Sequence, residues 1–170
     1  DLPFWLFVDA LDEYVQGLRP DRLEALDEDV RTELARVLPS LSRFATGEAA
    51  FQHERYRSHR AVRELLGRLT GPRPLVLALA DLHWADPGSV ELLSALLRRP
   101  PDAAVLLAMA VRPRQASDRV ASALERSRHA GTLLSVDVDV LTQDEADELL
   151  GEAVDQAAAS ALYEESGGNP

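Results

Sequence analysis

The sequence predicts an α/β fold built on a three-stranded parallel sheet, and three observations carry that expectation. Two apolar runs, residues 75–80 and 104–111, are too short to span a membrane and end at charge or proline. Runs of this kind read as strands buried on both faces of a parallel sheet. Between them Val90, Leu93, Leu96 and Leu97 form the apolar stripe of a helix, so the segment is a strand–helix–strand unit with a right-handed crossover. In a third run, residues 132–140, Leu134, Val136, Val138 and Val140 alternate with Ser135, Asp137 and Asp139. That alternation predicts a half-exposed third strand at the sheet edge.

Each element has a local reason. Pro3 opens a helix over residues 3–16, in which Phe4, Phe7, Val8, Leu11, Tyr14 and Val15 share one face before Gly17 stops it. Asp21 to Glu24 resembles a capping box for a helix reaching Val37, with Pro39 beyond its end. Residues 40–47 read as a loop or short helical turn. A longer helix covers about residues 48–69, with its arginines on a solvated face balanced by Glu54 and Glu64. Asp86-Pro87 starts the helix of the central unit, since a carboxylate caps free N–H groups and proline suits the first position. Arg98 and Arg99 close that helix and Pro100-Pro101 ends it. Trp84 is expected to pack beneath the adjoining loop. After Arg112, a helix is expected over residues 117–129. Thr142 to Glu145 forms a capping box for another, ended by Gly151, and a last helix runs over about residues 154–165.

Composition narrows the function classes. A chain of 170 residues with 46% hydrophobic and 28% charged content is a globular domain with a sizeable core. A net charge of −11 argues against direct grip on nucleic acid, which requires a basic patch. There is no cysteine for disulfide or thiol chemistry, and no signal peptide or membrane span is legible, so a cytoplasmic location without membrane contact is expected.

The chemistry is expected where the strands stop, because open parallel sheets bind ligands outside the carboxyl ends of their strands. Asp81 ends the first apolar run and Arg112 the second. If the strands are neighbours, about 4.8 Å apart, a carboxylate and a guanidinium share one rim. Spacing alone leaves two readings. In one, Asp81 holds Mg²⁺ or orients a water and Arg112 contacts a terminal phosphate. In the other, Asp81 caps a turn and Arg112 pairs with it. A zinc site from Asp81, His83 and Asp86 is disfavoured, because only one histidine is nearby in sequence.

Residues 74–88, PLVLALADLHWADPG, resemble the Walker B segment of the ATPase domains in large LuxR-type transcriptional regulators, which are AAA-like, STAND-type P-loop nucleotidases. Ala110-Val111-Arg112-Pro113 resembles the sensor strand of that family, and Glu165 to Pro170 its S-G-G-N-P exit segment, in the expected order. The resemblance implies an incomplete P-loop NTPase-like sheet. Residues 1–70 would be a helical insert region, 71–140 the Walker B and sensor strands, and 141–170 a helical exit segment. It implies ATP and Mg²⁺ as cofactors, with Asp81 on the metal and catalytic side, Arg112 sensing the terminal phosphate, and Asn169 and Pro170 bordering the nucleotide. It also implies a switch whose partners are other domains of the same regulator, or a second copy. Two features depart from the pattern. Ala80 replaces one carboxylate of the acidic pair. The chain has no G-x-x-x-x-G-K-S/T and no lysine, all 18 basic residues being arginine. The family's P-loop lies upstream of the stretch that begins at Pro3, so nucleotide binding is expected only with that segment supplied. The alternative is a non-catalytic interaction module that keeps the nucleotidase fold.

Overall fold

The computed structural model describes residues 3–45, 54–71, 73–112, 114–151 and 154–169. It divides into two units, Asp1–Leu133 and Leu134–Pro170.

In the first unit, two parallel strands, β1 (Leu75–Leu79) and β2 (Val105–Met109), pair in register from Leu75 opposite Val105 to Leu79 opposite Met109. Around them, among the described residues, stand the helices α1 (Trp5–Gln16), α2 (Pro20–Glu24), α3 (Glu28–Leu34), α4 (Glu54–Leu69), α5 (Pro87–Arg98) and α6 (Asp118–His129). The helix α5 crosses from β1 to β2, which makes the βαβ unit that the apolar runs predict. Phe7 and Leu11 of α1, Leu65 and Leu66 of α4, and Leu92, Leu93 and Leu96 of α5 are fully buried in one core with Leu77 and Leu79.

The other face of the sheet is open among the described residues. Val76 is 59% exposed and Leu106 61%, and Ala78 and Ala108 are exposed beside them. The expectation of strands buried on both faces is therefore corrected to burial on one. A continuous apolar run reports residues that tolerate burial, whereas covering elements must come from elsewhere.

The predicted helix from Asp21 to Val37 is broken. Pro20 occupies the first position of α2, so that helix starts before the apparent capping box. The chain turns at Ala25–Asp27 before α3 begins, and Leu23, Leu26 and Leu34 all reach the core as a result. Between α3 and α4, the buried Glu33 accepts from Ser58 Oγ at 3.1 Å and pairs with Arg36 at 3.3 Å. A 3₁₀ turn over Pro39–Phe44 is tied to α1 by the Ser40 N–H, which donates to Asp12 Oδ1 at 2.9 Å. The predicted beginning of the helix at 48–53 lies outside the described residues.

The second unit holds α7 (Gln143–Leu150) and α8 (Gln156–Ser166). The capping box at Thr142 and Glu145 is present in both directions. Exposed Glu145 is held below the ordinary glutamate pKa by the Thr142 backbone and side-chain hydrogen bonds. Asp155 caps α8 through the Ala158 N–H, and Gly167 ends it in the left-handed conformation. The expected third strand does not form: residues 132–140 belong to no ladder, and the sheet has two strands among the described residues. Leu134, Val136, Val138 and Val140 are all exposed. Alternation marks a segment suited to an edge, but a strand exists only where a partner supplies its hydrogen bonds.

Candidate functional site at the carboxyl ends of the strands

The register of the sheet explains how Asp81 is presented. The Ala110 N–H donates to the Leu79 carbonyl at 3.0 Å. In an unbroken parallel ladder the Ala110 carbonyl would next accept from Asp81. It accepts instead from the Leu82 N–H, at 3.1 Å. One extra residue has been inserted, and that residue, Asp81, takes a left-handed conformation with φ 54° and ψ 38°. Aspartate is among the few side chains that enter this region readily.

The insertion decides which side chain faces where. Odd-numbered Leu77 and Leu79 point into the core, and regular alternation would send Asp81 after them. With the bulge, fully buried Leu82 takes the core position and Asp81 turns to the rim, its side chain 51% exposed. Leu82–Trp84 then forms one 3₁₀ turn. The imidazole of His83 is only 1% exposed and its Nε2 lies 3.8 Å from Asp81 Oδ1. Trp84 is 68% exposed, so the expectation that it packs beneath the loop is corrected. Leu82 fills that place, and the indole lies instead against the His83 ring with centroids 4.8 Å apart.

Asp86 has a different role. It caps α5, its Oδ1 accepting from the N–H groups of Gly88 at 2.9 Å, Ser89 at 3.1 Å and Phe4 at 3.0 Å. Ser89 Oγ donates to Asp86 Oδ2 and accepts from the Leu6 N–H at 3.3 Å. The starts of α1 and α5 are thus fastened together beside the rim. Gly88 sits at a close approach, since a β-carbon there would stand 3.0 Å from Asp86 Oδ1 and 3.4 Å from the Phe4 ring, tighter than an ordinary contact. Partial burial works against the charged Asp86 carboxylate. The Ser89 hydroxyl and the three N–H groups outweigh that burial and hold its pKa below the ordinary 3.8. A depressed folded-state pKa contributes stability that is complete above the unfolded value and lost as pH falls through the folded one. Asp86→Asn is therefore expected to flatten the acid limb of the stability curve, and Asp86→Ala to cost about 2 kcal/mol at neutral pH. Denaturant unfolding at neutral pH and below pH 3.8 checks both.

Arg112 is exposed two residues beyond the last ladder bond of β2. Its carbonyl accepts from the N–H groups of Gln115 at 2.9 Å and Ala116 at 3.1 Å in the turn toward α6. Among the described residues it forms no ion pair with Asp81. The two strand ends are adjacent, as the Leu82 to Ala110 bond requires. Asn169 belongs to the second unit, where its N–H donates to the Ser166 carbonyl at 3.2 Å. Pro170 lies outside the described residues, as does Pro113. A cleft of about 860 Å³ lies elsewhere, lined by Tyr14, Arg19, Arg22 and Arg73 at the amino end of β1. It touches none of the rim residues.

Among the described residues no group of three His, Cys, Asp or Glu side chains could hold a metal ion. A lone half-exposed carboxylate suits Mg²⁺ in one known manner, in which one or two carboxylates share the ion with water and substrate phosphates. Asp86 is committed to backbone N–H groups.

The model of the AAA ATPase domain family matches residues 1–109. The chain belongs to the AAA ATPase domain family. No curated protein and no solved structure matches it. The matched span contains α1 through β2, and so Asp81 and the whole βαβ unit. Membership points to a nucleotide-binding module of P-loop type, in a family that generally uses ATP and Mg²⁺. Among the described residues no helix is long and apolar enough to cross a membrane. Sequence reasoning passed over Ser89, gave Phe4 only a place on a helix face and gave His83 only a disfavoured zinc role. For Ser89 a signal exists, a hydroxyl three residues after the cap. For the buried imidazole there is none.

Proposed function

We propose that residues 1–170 are the Walker B and sensor part of an ATP-dependent switch of the STAND type, as in LuxR-type transcriptional regulators. The observation that carries this reading is Asp81, turned out of the core by a one-residue bulge at the carboxyl end of β1, beside the strand that leads to Arg112. Strained backbone tends to gather at functional sites, and this outlier falls where α/β sheets bind ligands. Asp81 serves the Mg²⁺ and water side, Arg112 contacts the terminal phosphate, and Asn169 and Pro170 border the nucleotide. Such a switch holds its regulator shut or open through contacts with the regulator's other domains or a second copy. It operates in the cytoplasm and leaves DNA contact to another segment. Residues 1–70 act as the helical insert, 71–140 as the strand region and 141–170 as the exit segment. The phosphate cradle, a P-loop with its lysine, must come from outside these residues.

The test is nucleotide affinity in a protein that joins residues 1–170 to a P-loop. Loss of one charge-assisted hydrogen bond costs about 1.5–3 kcal/mol, so Arg112→Ala should weaken ATP about 10- to 100-fold. ADP, lacking the terminal phosphate, should bind as before. Equal weakening of both nucleotides, or of neither, contradicts the assignment.

A second reading, an interaction module without catalysis, is favoured by Ala80 in place of a second carboxylate and by the open apolar sheet face at Val76 and Leu106. It requires that no nucleotide binds even with a P-loop present.

A further inference from the structure

We propose that His83 is a positioning residue for Asp81, donating its Nε2–H to the carboxylate and holding it in one orientation at the rim. The inference rests on the reading of Asp81 given above. Its footing is a buried polar group without a purpose in the fold. The His83 side chain is 1% exposed, and among the described residues neither ring nitrogen has a hydrogen-bond partner. A buried donor left unmade costs about 1–3 kcal/mol, and native proteins keep few of them. An apolar ring would fill the same space without that cost.

The geometry supplies the purpose. Nε2 stands 3.8 Å from Asp81 Oδ1. Hydrogen-bond contact at 2.7–3.2 Å requires a closure of about 0.6–1.1 Å. Asp81 is the partner able to move, because its side chain is half exposed whereas the imidazole is enclosed. The Trp84 indole lies against the imidazole at 4.8 Å. Water is thereby kept from the ring, and a hydrogen bond gains strength in such surroundings. The bulge matters here too. With Asp81 left-handed and the chain entering a 3₁₀ turn, residues 81 and 83 come to the same side of the backbone.

The experiment uses the 170-residue chain labelled with ¹⁵N in its histidines. The Nε2 proton of His83 should be observed, protected from exchange. It should move upfield in Asp81→Ala and lose its protection in Trp84→Ala. By thermal unfolding, His83→Phe and Asp81→Ala should give shifts in Tm that do not add. His83→Gln, whose amide can donate from a similar position, should restore the coupling. If His83→Phe fails to fold, the resonance and the His83→Gln variant decide. A His83 resonance indifferent to Asp81→Ala, or additive Tm shifts, overturns the proposal. The two readings fail separately. Coupling without any effect of Asp81→Asn on turnover keeps the positioning role and removes the catalytic one. The reverse pattern removes the positioning role alone.

Discussion

Asp81→Asn should slow ATP turnover by about 10²-fold or more when residues 1–170 work together with a P-loop, on the scale of comparable electrostatic contributions. Nucleotide binding should change far less. The asymmetry follows from position. Asp81 stands at the end of β1 with its side chain half exposed, and the residue before it is Ala80, which has no charge to substitute. Most of the binding energy for the phosphates would come from the N–H groups and lysine of the P-loop. On the proposed reading the Asp81 carboxylate would matter where charge and geometry change, at the metal and the attacking water. Asparagine keeps the size and can keep the left-handed backbone, so the bulge should survive the substitution. Single-turnover and equilibrium-binding measurements separate the two effects. Unchanged turnover removes Asp81 from the mechanism.

Gly168→Ala should unfold the second unit while leaving the first intact. Gly168 has φ 76°, where an alanine costs about 1–2 kcal/mol from conformation alone. The larger cost is contact. A β-carbon at Gly168 would stand 2.5 Å from the Leu141 carbonyl oxygen, and the Leu141 N–H donates to the Gly168 carbonyl at 2.8 Å. The obstructing atom is backbone and is held by the very bond the substitution disturbs. Together these effects should exceed about 3 kcal/mol, in the range reserved for named defects of packing and strain. Hydrogen exchange resolved by segment is the suitable measurement. Amides of α7 and α8 should lose protection while those of α1, α4 and α5 keep theirs. Unaltered protection in α7 and α8 would show that the unit does not depend on this close approach.

Much of this was readable from residues whose signal is local. The cap at Asp86, the box at Thr142 and Glu145, and the stop at Gly151 all depend on a few neighbouring atoms, and they stand as expected. The two apolar runs around a helical stripe were enough for the βαβ unit. What failed depends on partners distant in sequence. Residues 132–140 carry the pattern of an edge strand without a ladder partner. Val76 and Leu106 are apolar without a cover among the described residues. The break at Ala25–Asp27 arises because Leu23, Leu26 and Leu34 must reach one core, which no helix periodicity announces. At the rim, the sequence locates Asp81 at the end of a strand. It does not reveal the bulge that turns the carboxylate outward, nor the burial of His83 beneath Trp84. Both follow from the register of β1 against β2, a relation between segments about 30 residues apart.

The central claim is that these residues hold the rim of a nucleotide site but lack its phosphate cradle. Thermal unfolding of the 170-residue chain, with and without millimolar Mg·ATP, tests it most directly. A ligand at 100 times its dissociation constant stabilises by about 2.7 kcal/mol, which for a chain of this size raises Tm by roughly 5–10 °C. On the proposed reading Asp81 would present a like charge to ATP and help only through Mg²⁺, and Arg112 would offer a single favourable contact. The predicted result is no shift in Tm. A shift of roughly 5–10 °C that Arg112→Ala abolishes would mean that the chain binds nucleotide without a P-loop, and would contradict the account.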